Sequence, residues 1–155
     1  MLLIESPHNE RFKKLLKLST DNKFRRQNKV FIIEGLKEIR AALEHNYELE
    51  EVYIDEKYKV AFPEKEFDQV PATMLKHDLF SRLVYREDAS YILAVLKEPV
   101  LDLSQIQLPE NPLIIILENI EKPGNLGALL RTCDAVGADA VILSQDHHNF
   151  FHPNV

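Results

Sequence analysis

The chain has 155 residues, the size of one ordinary domain or two small ones, and can bury roughly 68–70% of the surface its unfolded form exposes. With 45% hydrophobic and 28% charged residues it is neither disordered nor fibrous. The net charge of -6 argues against a nucleic-acid partner only until it is located. Residues 1–30 carry eight basic side chains (Arg11, Lys13, Lys14, Lys17, Lys23, Arg25, Arg26, Lys29) against Glu5, Glu10 and Asp21, so the excess of acid lies in the rest of the chain. A basic arm on an acidic body can mark a partner. The single cysteine, Cys133, excludes an internal disulfide. The longest apolar run, Leu113 to Leu117, is too short to cross a bilayer, and no basic region precedes an apolar stretch at the N-terminus. A cytoplasmic protein without a membrane partner is expected.

Ser6-Pro7 reads as a helix start, with a hydroxyl N-cap and proline at the first helical position. On the helix that follows, Phe12, Leu15 and Leu16 share one face, and Lys13, Lys14 and Lys17 lie opposite. The stretch from Asp21 to Lys29 adds four basic residues. A solvated face would explain such a run, and so would RNA contact, which the acidity of the remainder favours.

Val30 to Ile33 is a short β-branched and aromatic run, hence a buried strand. Glu34-Gly35 turns into a helix with Leu36, Ile39 and Leu43 on one face, ending near Asn46. Glu51 to Ile54 alternates like a strand. Leu75, Leu79 and Leu83, spaced by fours, predict a helix from Leu75 to Val84, and Tyr91 to Leu96 is another apolar strand. Together these predict a small α/β layer structure ending near Lys97. Pro99, Pro109 and Pro112 punctuate residues 98–112, the linker candidate.

Leu113 to Leu117 follows, apolar on both faces and therefore expected at the centre of a parallel sheet. The loop from Glu118 to Gly124 leads into a helix from about Asn125 to Val136, which Gly137 stops as a left-handed residue. Ala140 to Leu143 is the next strand, completing a right-handed βαβ unit.

In open parallel sheets, ligands sit beyond the carboxyl ends of the strands. Here that end carries Gly124 and Gly127, which permit a tight turn and close backbone approach, but not the glycine order of a phosphate loop or a dinucleotide fingerprint. Asn125 suits an N-cap. Arg131, six residues on and about 9 Å along the helix axis, could reach back toward that loop or pair with Asp134 on the surface. Spacing alone leaves both open.

In order and spacing, Glu118, Pro123, Gly124, Asn125, Gly127, Arg131, Thr132 and Gly137 resemble the first signature motif of the SpoU-type (TrmH-like) RNA ribose methyltransferases, of the SPOUT class. Upstream, Ser6-Pro7-His8-Asn9, the basic stretch and the Phe31-Ile32-Ile33-Glu34-Gly35 turn resemble the family's accessory domain. The resemblance implies a basic helical arm (1–29), a ribosomal-protein-like α/β substrate-binding domain (30–97), a linker (98–112) and the first βαβ part of a knotted parallel-sheet methyltransferase domain (113–155). It implies methyl transfer from S-adenosylmethionine to a ribose 2′-hydroxyl of tRNA or rRNA, with Asn125 and Arg131 as catalytic residues. RNA contacts are expected at Lys13, Lys14, Lys17, Lys23, Arg25, Arg26 and Lys29. The alternatives are an RNA-binding module without catalysis and an unrelated nucleotide-binding α/β enzyme.

The sequence departs from the family pattern at Lys122, usually acidic, and Cys133, usually alanine, the latter expected as a small packed residue. It ends at His152-Pro153-Asn154-Val155, without the two later motifs that form the family's cofactor pocket and much of its dimer interface. The expectation is a fragment with no cofactor-binding residues of its own, inactive alone, and a homodimer for the complete enzyme. His148 and His152 stand four apart beside His147, but without a third ligand at clear spacing. A polar loop, not a metal site, is expected there.

Overall fold

A computed structural model of the chain describes residues 1–84, 90–144, 150–152 and 155. They divide into two units, Met1–Glu98 and Pro99–Val155. His147 and His148 lie outside the described residues.

The first unit is built on a five-stranded mixed sheet. Its strands are β1 (Leu2–Ile4), β2 (Val30–Glu34), β3 (Leu49–Asp55), β4 (Ala72–Leu75) and β5 (Ile92–Lys97), in the spatial order β1-β4-β3-β5-β2. β1, β4 and β3 run parallel, and β5 pairs antiparallel with both β3 and β2. Successive side chains of a strand face opposite ways, so a strand covered on both faces reads as a continuous apolar run. β5 shows this directly: Ile92 through Leu96 are all buried.

One face holds Val30, Ile32, Tyr53, Leu93 and Val95, packed with Phe12, Leu15 and Leu18 of helix α1 (Glu10–Thr20). Helix α2 (Asn22–Asn28) follows and packs against α1 and β2. Helix α3 (Leu36–Glu44) packs against β2 and β5 and buries Ile39 completely. Two 3-10 turns, Glu56–Ala61 and Glu64–Phe67, continue from β3. The second is tied to α3 by a two-pronged bond, Arg40 Nε to Glu66 Oε2 at 2.9 Å and Nη2 to Oε1 at 2.6 Å. That bond holds the exposed Glu66 carboxyl below its usual range.

Several expectations change here. Residues 1–29 do not form a separate arm, because β1 extends the sheet and α1 fills the core. Ser6-Pro7 is a turn rather than a helix start: Ser6 Oγ accepts from the His8 amide at 3.2 Å, and the Ser6 carbonyl accepts from the Asn9 amide. The cap is Asn9, whose side chain accepts from the Arg11 and Phe12 amides. Leu75 is the last residue of β4, and only His77–Phe80 form a helix, α4. Leu75, Leu79 and Leu83 do enter one core, but from a strand end, a helix and a turn. Their spacing matched a helix without being one.

The second unit contains β6 (Ile114–Leu117), helix α5 (Pro123–Ala135) and β7 (Ala140–Leu143), with the two strands paired in parallel. Asp139 clamps their start, its Oδ2 accepting from the Leu113 amide at 2.8 Å while its own amide donates to the Leu113 carbonyl. Gly137 takes φ +70 and ends the helix, as its position predicts. Among the described residues β6 has one neighbouring strand, not the two of a central position. Leu117 is buried, whereas Ile116 remains 66% exposed. Residues 98–112 hold one 3-10 turn, Leu103–Gln105, capped by Asp102.

Candidate functional site

In the second unit the candidate residues sit on α5 at the carboxyl end of β6. Pro123 occupies the first helical position and Lys122 is the N-cap, making no side-chain cap bond. Asn125 therefore stands inside the first turn instead of capping it: its amide donates to the Lys122 carbonyl at 3.0 Å, and its side chain is exposed. The preceding loop turns at Asn119, in the left-handed region at φ +53, where asparagine is tolerated better than most residues.

The two glycines of this motif differ. A Cβ at Gly124 would meet nothing within 4 Å, whereas one at Gly127 would lie 2.1 Å from the Val155 carbonyl oxygen. Close backbone approach is thus a property of Gly127 alone. Leu126 and Cys133 turn inward with it, and Cys133 is the small packed residue that its position suggested.

Arg131 is exposed, and among the described residues it forms no ion pair with Asp134 or any other carboxylate. Asn125 and Arg131 thus share one helix and both face solvent. Arg131 offers a planar fork of donors. Among the described residues, the buried side chains of the unit are Leu117, Leu126 and Cys133. No three His, Cys, Asp or Glu side chains among the described residues gather into a metal site.

In the first unit the basic residues expected to contact RNA separate into two groups. Lys13, Lys14, Lys17, Lys23, Arg26 and Lys29 are exposed. Lys13 lies 2.7 Å from Glu10, an exposed pair of little energetic weight, and Lys17 sits over the Phe24 ring at 4.4 Å. Lys29 takes φ +52 and closes α2 as its C-cap.

Arg25 is the correction. It is only 2% exposed, and its Nη1 donates to the Leu18 carbonyl at 2.6 Å and the Ser19 carbonyl at 3.1 Å. Its guanidinium closes the carboxyl end of α1, where carbonyls lack helical partners, and cannot reach a phosphate. Desolvation lowers its pKa, partly offset by Asp21. The sequence placed it in a charge run but could not show which member of the run turns inward.

Beside this surface lies a cleft of about 180 Å³ whose polar lining includes Lys14, Asn28, Glu50, Glu51 and Tyr53. Tyr53 donates to Glu51, and Arg11 lies 3.8 Å from the same carboxylate. Burial first, then the bond to Glu51, push the Tyr53 phenol above its ordinary pKa. The cationic face of α1 is therefore bordered by acid.

Residues 9–94 match the family model of the MRM3-like substrate binding domain, and residues 112–155 match that of the SpoU rRNA Methylase family. The chain belongs to the SpoU-type RNA methyltransferases. Among relatives of this SpoU-type chain, the 23S rRNA (guanosine(2553)-2'-O)-methyltransferase RlmP of Bacillus subtilis (strain 168) is 30% identical over 152 residues, covering 98% of the chain and 58% of the relative. The 23S rRNA (uridine(2479)-2'-O)-methyltransferase of Streptomyces viridochromogenes is 25% identical, covering 94% and 52%. A crystal structure of an RNA 2'-O ribose methyltransferase superposes with a TM-score of 0.81 at 31% identity, covering 99% of this chain and 59% of that one. The AdoMet-bound rRNA methyltransferase from Sinorhizobium meliloti gives 0.82 at 23% identity, covering 97% and 57%, and shares the fold. The SpoU-type chain thus spans a little over half the length of these relatives.

Proposed function

We propose that this chain is the RNA-holding domain and first catalytic segment of an rRNA 2′-O-ribose methyltransferase. The tandem match, a substrate-binding domain at 9–94 followed by a SpoU segment at 112–155, carries the reading. It counts against an unrelated nucleotide-binding enzyme, and the names of the relatives favour rRNA over tRNA. S-adenosylmethionine is the methyl donor proposed for a polypeptide of the relatives' full length. A homodimer and a cytoplasmic location belong to the same proposal and rest on the family resemblance.

The chain's own residues act on the ribose side. A 2′-hydroxyl is a weak nucleophile until its proton leaves or its oxygen is stabilised. A guanidinium offers donors and no acceptor, which makes arginine an awkward general base. The role of Arg131 is to orient the target nucleotide and stabilise negative charge developing on the 2′-oxygen, with Asn125 positioning the ribose or Arg131 itself. The exposure of both side chains is compatible with that role.

Binding of an rRNA fragment, measured across salt concentrations, tests the reading. Affinity should fall steeply with salt, and removing one cation that meets a phosphate should reduce the log–log slope by roughly 0.7–0.9. Replacing Lys14, Lys17 and Lys23 together by alanine should lower that slope by about 2. Salt-independent binding, or saturable binding of a mononucleotide in preference to RNA, would contradict the proposal.

A further inference from the structure

β3 ends at Asp55, and the chain enters the 3-10 turn Glu56–Ala61. Its backbone is kinked at Tyr58, where φ is -108 and ψ is 17. At this kink the sequence reads Lys57-Tyr58-Lys59, and all three residues are exposed. The Tyr58 ring stacks on Tyr91, with centroids 5.5 Å apart and planes 28° from parallel. Tyr58 is nevertheless 48% exposed, so much of its ring remains open to solvent. Among the described residues, neither flanking lysine is held in an ion pair.

The turn is held from below. Asp55 is buried, and its Oδ1 accepts from the Lys57 amide at 3.1 Å, capping the turn. Its Oδ2 lies 2.7 Å from His77 Nδ1. The acidic neighbour Glu56 accepts from the His77 amide at 3.3 Å. Tyr91 is fixed independently, since its carbonyl accepts from the Asp55 amide at 3.0 Å. Two tyrosines are thus anchored by the sheet and its first turn, with an exposed lysine on each side of Tyr58 in the sequence.

Alternating cations and an aromatic face suit one ligand class. Every nucleobase has a π-face that stacks on tyrosine, and flanking ammonium groups can meet the phosphates on either side. A paired helix hides its base faces inside the stack, so only an unpaired nucleotide can use such a platform. We propose that Tyr58, backed by Tyr91 and flanked by Lys57 and Lys59, stacks an unpaired nucleobase of the RNA. This rests on the RNA reading above and adds to it a preference for single-stranded segments.

The chain contains no tryptophan, so its near-ultraviolet emission comes from its five tyrosines. Two probes are titrated: a hexamer of adenylate, and a hairpin of matched length with only a closed minimal loop. The hexamer should quench part of the tyrosine emission. Tyr58→Leu, which keeps cover over Tyr91 but has no π-face, should weaken hexamer binding about 5- to 100-fold and leave the hairpin stem unaffected. Tyr58→Phe should keep hexamer affinity within about twofold, since phenyl still stacks, while losing the quench. Equal hexamer affinity for the wild type and Tyr58→Leu overturns the platform and leaves the RNA reading standing, provided both probes still bind. If neither probe binds the wild type, both readings fall.

Discussion

Arg131→Lys, in a polypeptide that carries the full methyltransferase domain, is expected to lose about 10²- to 10³-fold in the rate of ribose methylation, by analogy with removing one donor from a site of developing negative charge. Lysine keeps the charge and similar reach, so the loss measures the planar fork rather than charge alone. RNA affinity should change little, because phosphate binding is assigned to the other unit. Transfer of a labelled methyl group to an rRNA fragment, measured across RNA concentrations up to saturation, separates these effects. Near-normal turnover in Arg131→Lys would end the catalytic assignment. A selective rise in KM would make Arg131 a binding residue instead. The side chain is exposed and makes no bond to Asp134, so its replacement leaves the packing of the unit intact.

Phe12→Ala should destabilise the first unit by about 3–5 kcal/mol, the range for removing a buried aromatic side chain. Phe12 is 0% exposed and packs in the core that holds Ile4, Leu79 and Leu93. Domains have only about 5–15 kcal/mol of net stability, so this change alone could leave a large fraction unfolded. Urea titration followed by circular dichroism gives the midpoint directly. A detachable basic arm predicts the opposite result: a loss below about 1 kcal/mol, as for surface substitutions. The same measurement on Leu16→Ala should show a smaller effect, since Leu16 is only partly buried against this core.

How far the sequence anticipated the structure depended on the kind of signal each residue carries. β2, β5, β6 and β7 were legible because each is a continuous apolar run, and Gly137 because only glycine takes its φ readily. β1 has only three residues, too few for a pattern to rise above chance, and β4 was hidden because the spacing of Leu75, Leu79 and Leu83 drew its last residue into a predicted helix. The N-cap of α5 was legible in principle: Pro123 favours the first helical position, which points to Lys122 rather than Asn125. Arg25 was not, because a run of basic residues does not record which one meets free helix carbonyls. The Tyr58–Tyr91 stack joins residues more than thirty positions apart, and Lys57-Tyr58-Lys59 was the only local hint of it.

The strand order has a consequence for synthesis. β5 is the last strand of the first unit, yet it lies between β3 and β2 and pairs with both. A nascent chain that has not yet delivered Ile92 to Lys97 leaves the inner edges of both neighbours without partners. Helices α1 and α3 can form earlier but have no closed sheet to cover. The unit should therefore become protease-resistant in one late step on the ribosome, after Lys97 has emerged, rather than strand by strand. Until then its two open strand edges are available to any other extended chain nearby.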